Sequence, residues 1–404
     1  MKIKNLKIVN IGPFKNANLD FTDEDSKTPY PVIIITGENG TGKSIIIDAI
    51  RGLLMGRFRQ VERNIISSDN FLVESIISLD DKNVYLKSSQ KYENIKLDTN
   101  DMYFNQLFLS QFETKYKRNF IFEYWTSKLS NDDFKIQNLE VLDPKNYLDD
   151  SYNGIHKNID VTKIISFFDY LRGSNNPSEK KLGQTLYGLL EQIINLSISE
   201  GKLSHVSRIN FEVIISINGR EVALSKLSSG NLYLIQRFAS VLRQVYSICI
   251  INQIDIENYK EIPGLLLIDE AENHLHPKWQ KVFLKNLLRL FPKIQIITTT
   301  HSPFIVSSVK NAKIFVCRSK AGYSVVEEET DYFSNKPVEE ILMSPLFNTS
   351  NFGVEISNLL TERKIALQEG KDNRVQEIER VLLSKNPDYF NYLKIDELIK
   401  SLKR

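Results

Sequence analysis

The stretch GENGTGKS, Gly37 to Ser44, decides the fold of this chain. It lies between the apolar run PVIIIT and the helical pattern SIIIDAIRGLL, so it predicts a loop that joins a buried strand to a helix. Glycines in such a loop let backbone N–H groups surround phosphate oxygens, and the helix N-terminus adds its positive end. We predict that Lys43 contacts the β- and γ-phosphates of a nucleotide and that Ser44 binds Mg²⁺. The residues predicted to bind the nucleotide here are Gly37, Asn39, Gly40, Thr41, Gly42, Lys43, Ser44 and Ile45.

A second motif, LLLIDE from Leu265 to Glu270, is an apolar strand that ends in two carboxylates. Alone, this pattern also fits the ordinary exit of a strand into a loop. With a phosphate-binding loop upstream, Asp269 is predicted to bind Mg²⁺ from the side opposite Ser44. Glu270 is then placed to polarise an attacking water molecule.

Two further motifs lie at the end of a strand and at the start of a helix. LSSGN opens the helix NLYLIQRF, and Ser228 and Gly230 at its N-terminus can bind an anion such as a γ-phosphate. His301 follows the buried strand IQIITTT, where open α/β sheets bind their ligands. Its imidazole can contact the γ-phosphate or the attacking water. Alone, LSSGN is more often a helix cap, and a single histidine in a turn is usually structural. Four motifs in this order, however, favour one catalytic site.

Length, charge and cysteine content exclude several classes of protein. The 404 residues include 52 basic and 50 acidic side chains, and a net charge of +2 does not indicate a polycation that binds nucleic acid. No apolar run reaches the ~18 residues of a membrane span, and the N-terminus alternates like a strand instead of resembling a signal peptide. Cys249 and Cys317 are too few for a disulfide framework or a four-ligand zinc site. We therefore expect a cytoplasmic protein without a membrane contact.

The chain carries four motifs in the order GENGTGKS, LSSGN, LLLIDE and THSPF. Together they resemble the motifs of the ABC-type ATPase head. ENHLHP, Glu272 to Pro277, and THSPF are similar to stand-alone bacterial AAA-family ATPases of the OLD, RecF and SMC type. Several of these serve anti-phage systems such as Septu and the retron-associated modules. The resemblance implies ATP and Mg²⁺ as cofactors, and catalytic roles for Lys43, Glu270 and His301.

The resemblance also implies a head-to-tail homodimer, with two ATP molecules at its interface and higher oligomers as a further option. Ser228 and Gly230 of one subunit would cap the γ-phosphate that Lys43, Ser44 and Asp269 of the other subunit hold. OLD-type nucleases carry an acidic metal centre after the ATPase, whereas the residues past 310 here offer no Asp-x-Asp pair. Any nuclease or toxin should therefore be a separate effector protein that this ATPase senses or controls.

The fold predicted from these patterns is α/β, an ABC-ATPase head with a mixed central sheet and an antiparallel flank over about 71–99. Residues 1–130 form the N-terminal part of the core and 205–335 its C-terminal part. A helical insertion occupies 131–204, and a C-terminal helical module occupies 336–404. The stretches RINFEVIISI and EVALSKL are predicted to be strands, and 101–118 a helix.

Two alternative functions and the position of one loop stay open at this point. A RecF-like DNA repair or recombination ATPase would use the basic stretches around Arg51 to Arg63 and Lys115 to Arg118 to bind DNA. A transporter subunit should show a compact head and a clear glutamine loop, which is the loop that senses the γ-phosphate through Mg²⁺ in ABC-type ATPases. The glutamine loop itself is ambiguous, because Gln111 lies in a helical pattern and the loop at Thr126 is an equal candidate.

Overall fold

A computed structural model of the chain describes residues 1–54, 65–80, 82–91, 94–101, 104, 118–126, 141–144, 161–347 and 353–393. The chain divides into two compact units, Met1–Val338 and Glu339–Arg404. The finer four-part division stays a prediction. The helix expected over 101–118, Gln111 and most of the two basic stretches lie outside the described residues.

Fifteen strands are described, and most belong to one large sheet. They are β1 Lys2–Ile3, β2 Asn5–Ile11, β3 Phe14–Asp20, β4 Val32–Gly37, β5 Leu72–Leu79, β6 Lys82–Lys91, β7 Asn94–Thr99, β8 Ile121–Trp125, β9 Gly201–Val206, β10 Val213–Ile217, β11 Arg220–Ala223, β12 Gly264–Ile268, β13 Ile294–Thr299, β14 Ala312–Lys320 and β15 Tyr323–Glu328. Twelve of these form a sheet in the order β7-β6-β5-β2-β3-β15-β14-β4-β13-β12-β8, with β1 beside β5.

This sheet has a parallel part and an antiparallel part. Strand β4 pairs in parallel with β13 and β14, and β12 pairs in parallel with β13 and β8. Strands β4 and β12 are buried along their whole length, which explains their continuous apolar sequences. Strands β2, β5, β6 and β7 are antiparallel, and β5 alternates between buried and half-buried residues. The predicted mixed α/β sheet with an antiparallel flank is confirmed.

The described helices surround this sheet or form the second unit. They are α1 Lys43–Leu54, α2 Val161–Arg172, α3 Pro177–Ser197, α4 Ser229–Asn252, α5 Pro277–Leu290, α6 Pro303–Val306, α7 Thr330–Phe333, α8 Val338–Leu342, α9 Val354–Gln368, α10 Asp372–Lys385 and α11 Pro387–Phe390. Ile46 and Ile50 of α1 share one core with Ile33 and Ile35 of β4, so packing fixes the loop between these two elements.

Helices α2 and α3 lie within the stretch predicted as a helical insertion, and α9 to α11 lie within the stretch predicted as a C-terminal helical module. Helices α2 and α3 pack against each other and against α4. In the second unit, α9 to α11 enclose a small core around Leu382 and Phe390. Arg363 of α9 also forms an ion pair with Glu379 of α10.

Helix α4 is long and apolar enough to cross a membrane, the only such helix among the residues that the structure describes. However, 83% of its apolar window is buried inside the protein, as in the core helix of a globular fold.

Two predicted strands differ from the structure. The stretch RINFEVIISI forms a strand only over Val213–Ile217, because the Asn210 side chain accepts a hydrogen bond from the Glu212 N–H and holds a turn. EVALSKL forms β11 only to Ala223 and continues as a 3₁₀ turn over Leu224–Lys226. Both strands lie in a separate three-stranded sheet, β11-β10-β9, and do not join the large sheet.

Candidate active site

The phosphate loop has a backbone that glycine residues make possible. Gly37 and Gly42 have φ angles of +141° and +96°, which side chains rarely allow. A Cβ atom at Gly37 would lie 2.2 Å from the carbonyl oxygen of Cys317 in β14. At Gly42 it would lie 2.7 Å from atoms of Pro13 and Phe14. The two glycines therefore permit both the fold of the loop and its close packing on neighbouring strands.

Lys43 bends back over this loop from the first turn of α1. Its Nζ donates hydrogen bonds to the carbonyl oxygens of Gly37 at 3.0 Å and Glu38 at 2.7 Å. Burial lowers the pKa of Lys43, although nearby acidic groups oppose this effect. The Thr41 hydroxyl donates to the Glu38 carbonyl at 2.8 Å, so it supports the loop from within.

The sheet brings the predicted magnesium ligands together from three elements. Ser44 Oγ of α1 donates to Asp269 Oδ1 at the end of β12, at 2.8 Å. Thr299 Oγ1 at the end of β13 donates to the same oxygen at 2.6 Å. Burial raises the pKa of Asp269, while the two hydroxyl groups stabilise its ionised form. Hydroxyl and carboxylate oxygens are ligands that Mg²⁺ prefers, so these residues fit that ion.

Thr299 also positions the predicted catalytic carboxylate. The backbone N–H of Glu270 donates to Thr299 Oγ1 at 2.8 Å, and Glu270 has a left-handed φ of +55°. Asn273 Nδ2 donates to Glu270 Oε2 at 2.6 Å. Neither Thr299 nor Asn273 was predicted to support the catalytic groups. The only sequence feature that indicated such a role was their position beside the LLLIDE and THSPF motifs.

His301 lies where β13 leaves the sheet, on the same side as Glu270. Burial lowers the pKa of its imidazole, and the positive charge of Lys43 lowers it further, so the neutral form is favoured. The backbone N–H of His301 donates to Glu272 Oε1 at 2.6 Å. The neighbouring Thr300 hydroxyl donates to the other oxygen of Glu272, also at 2.6 Å. Sequence reasoning did not single out Glu272 as a partner of His301.

A cleft of about 260 Å³ brings most of the predicted site residues together. It is lined by Asn39, Gly40, Gly42, Lys43, Ser44, Ile45, Glu270, Thr299 and His301. Asp269 lies next to the cleft through its bond to Ser44, and Gly37 and Thr41 belong to the loop that frames it. Residues predicted to bind phosphate and residues predicted to be catalytic therefore share one cavity, although they come from distant parts of the sequence.

Ser228 and Gly230 are not among the described residues that line this cleft. Ser228 is the N-cap of α4, and its side chain accepts a hydrogen bond from the Asn231 N–H. A Cβ atom at Gly230 would lie 2.6 Å from the carbonyl oxygen of His274. Within one chain, this helix N-terminus thus packs on the segment after Glu270 and does not enter the cleft.

The basic stretches and the glutamine loop are described only in part. Arg51 is buried, donates to Asp48 and stacks over the Tyr124 ring. Arg118 is also buried and donates to Gln244. These two arginines therefore do not contribute to an exposed basic surface. At the end of β8, the carbonyl of the buried Thr126 accepts a hydrogen bond from Arg237 of α4.

Comparison with known families agrees with this geometry. Residues 32–307, more than half of the chain, match the AAA_21 family, whose description reads "AAA domain, putative AbiEii toxin, Type IV TA system". The chain belongs to the AAA_21 family. Nucleotide binding is a property that this AAA-type family implies, and it agrees with the phosphate loop described above.

Relatives of this AAA_21 protein include a Septu protein and a probable ATPase of a retron. The Septu protein PtuA of Bacillus thuringiensis is 27% identical over 314 residues, which cover 76% of this chain and 73% of the relative. The "Retron Vc95 probable ATPase" of Vibrio cholerae serotype O1 biovar El Tor is 25% identical over 389 residues, covering 78% of this chain and 73% of the relative. The predicted resemblance to Septu and retron-associated ATPases is confirmed.

Among solved structures, the SMC head domain from Thermotoga maritima aligns with 81% of this AAA_21 chain and 99% of its own length. The TM-score is 0.46 and the sequence identity is 16%.

Proposed function

We propose that this chain binds ATP with Mg²⁺ in the cleft and hydrolyses it to ADP and phosphate. The observation that carries the proposal is the shared carboxylate oxygen of Asp269, which accepts hydrogen bonds from both Ser44 and Thr299 beside the cleft. Ser44 and Asp269 would hold Mg²⁺, which supplies positive charge at the β- and γ-phosphate oxygens when it is bound.

Each residue of the cleft then has a distinct task. Backbone N–H groups of the phosphate loop bind the phosphate oxygens. Lys43 gives up its hydrogen bonds to two loop carbonyl oxygens and donates instead to the phosphate. The Glu270 carboxylate, oriented by Asn273, accepts a proton from the attacking water. His301 in its neutral form donates a hydrogen bond to the γ-phosphate or to that water.

The proposed ATPase acts as a head-to-tail homodimer. Ser228 and Gly230 lie at the N-terminus of a 24-residue helix, where N–H groups attract a phosphate. Because this end of α4 does not enter the cleft of its own chain, the residues would cap the γ-phosphate bound by a second copy. ATP then completes an interface that neither subunit can form alone, and higher oligomers would be built from such dimers.

The proposed biological role is control of a separate nuclease or toxin in anti-phage defence, in the cytoplasm. Two observations support this role: the relatives are named for Septu and retron systems, and the chain carries helical parts beyond the ATPase sheet. These parts, the predicted insertion 131–204 and the module 336–404, would be surfaces for the effector. A co-purifying effector encoded by a neighbouring gene is the expected result of pull-down with this chain.

The experiment that tests hydrolysis compares wild type with Lys43→Ala and Glu270→Gln in a phosphate-release assay. We expect Lys43→Ala to abolish ATP binding. Glu270→Gln should retain binding but lower kcat on the order of 10²- to 10⁴-fold. Lys202→Ala and Glu257→Gln, which change the same residue types at exposed positions, serve as matched controls.

Loss of ATP binding in Glu270→Gln would contradict the assigned catalytic role. The same assay with duplex DNA tests the RecF-like alternative, which predicts that DNA stimulates hydrolysis.

A further inference from the structure

The carboxylate of Glu272 connects two neighbouring parts of the site. Glu272 lies two residues after Glu270, and its two oxygens contact the segment that carries His301. Oε1 accepts a hydrogen bond from the His301 backbone N–H, and Oε2 accepts one from the Thr300 hydroxyl, both at 2.6 Å. Thr300 Oγ1 in turn accepts a hydrogen bond from the Ser302 N–H at 2.9 Å. One side chain therefore fixes the backbone on both sides of the histidine.

The backbone of Glu272 is itself held in place. Its carbonyl oxygen accepts from the Leu275 N–H at 3.0 Å and from Gln280 Nε2 of α5 at 3.4 Å. Gln280 Oε1 accepts a hydrogen bond from the buried Ser302 hydroxyl at 2.5 Å, and Gln280 Nε2 also donates to Leu275. Glu272 thus lies in a closed network that connects the segment after β12, the segment after β13 and helix α5.

We propose that Glu272 is a positioning residue that holds His301 in its catalytic place. This inference rests on the proposed ATP hydrolysis and on the role of His301 in it. The carboxylate does not contact the nucleotide but acts through the backbone of His301. Hydrogen bonds to an ionised carboxylate are stronger than neutral ones, so they can hold a short segment at the end of a strand.

Loss of this carboxylate would affect the chemical step more than nucleotide binding. The phosphate loop that binds the α- and β-phosphates has its own support in β4 and α1, whereas His301 is predicted to contact only the γ-phosphate or the attacking water. A displacement of about 1 Å at a catalytic group can lower the rate by about 10²-fold. Glu272→Gln should therefore lower kcat and leave ADP affinity unchanged.

The test is a double-mutant cycle with wild type, Glu272→Gln, His301→Ala and the double variant. The measured quantities are kcat and KM for ATP, Kd for ADP and Tm. We expect Glu272→Gln alone to lower kcat on the order of 10- to 100-fold with an unchanged Kd for ADP. In the His301→Ala background the same change should alter kcat by less than about twofold, since the group it positions is gone.

Glu379→Gln is the matched control, since Glu379 is a buried carboxylate that accepts a hydrogen bond from Arg363 in the second unit. It should lower Tm without changing kcat. If Glu272→Gln does not fold, Thr300→Val replaces it in the cycle, because this change removes the hydroxyl bond to Glu272 and keeps the carboxylate.

Three results would overturn the inference. Equal losses of kcat in both backgrounds would assign Glu272 a structural role only. Hydrolysis that slows with His301→Ala but not with Glu272→Gln would refute the positioning role and leave the proposed function intact. Wild type without ATP hydrolysis would refute the proposed function, and the positioning role with it.

Discussion

A buried carboxylate in strand β8 allows a quantitative prediction. Glu123 lies in β8, is 1% exposed, and accepts a hydrogen bond from the Ser240 hydroxyl of α4. Burial raises its pKa from the ordinary 4.5 to about 7, although the Ser240 hydroxyl and the charge of Arg237 stabilise the ionised form. The folded protein therefore binds this proton more tightly than the unfolded chain does.

The sign of the pH dependence follows from this difference. The stability that the protonated carboxyl contributes is fully present below pH 4.5 and is lost as the pH rises to about 7. The complete loss corresponds to about 3 kcal/mol, of which about 2 kcal/mol falls between pH 5.5 and pH 8. Glu123→Gln removes the titrating group and keeps a side chain of the same size.

The assay is urea unfolding of wild type and Glu123→Gln at pH 5.5 and pH 8. The free energy of unfolding of wild type, relative to the variant, should be lower at pH 8 than at pH 5.5 by about 2 kcal/mol. Ser240→Ala should increase this pH dependence, because it removes a hydrogen bond that favours the ionised form. A difference between wild type and variant that is the same at both pH values would refute the reasoning.

Two further predictions concern the cleft. Gly37→Ala should abolish ATP binding and lower Tm, because the added Cβ would clash with the Cys317 backbone. At Gly40 an added Cβ would meet open space, so Gly40→Ala should cost only about 1–2 kcal/mol of backbone strain. Thermal unfolding and nucleotide titration compare the two, and equal losses would contradict this interpretation. Thr299→Val should raise the Mg²⁺ concentration needed for half-maximal hydrolysis, because it removes a hydroxyl bonded to Asp269. An unchanged Mg²⁺ titration would refute this role.

The sheet and much of the candidate site could be predicted because local sequence determines them. The apolar strands before Gly37 and Asp269 are long, unbroken and next to loop motifs, so their burial and direction follow from pattern alone. Lys43, Ser44, Glu270 and His301 line one cleft because the carboxyl ends of parallel strands meet at one edge of the sheet.

The parts that sequence reasoning missed depend on tertiary contacts. Strand β9 begins at Gly201, in a stretch whose polar residues show no clear alternation, and it is stabilised by pairing with β10. The hydrogen bonds of Thr299 and Glu272 join residues about 30 positions apart, so no local pattern indicates them. Their place next to predicted catalytic residues was visible, but the direction of each side chain was not.

The central claim is that ATP joins two copies of the chain, through the cleft of one copy and the α4 N-terminus of the other. Sedimentation velocity tests this claim most directly. The measurement uses Glu270→Gln, which should retain ATP, with ATP and Mg²⁺ or with ADP. The account predicts a dimer with ATP, a monomer with ADP, and no dimer when Ser228→Arg is added to block the helix N-terminus. A monomer that binds ATP, or a dimer that persists with Ser228→Arg, would contradict it.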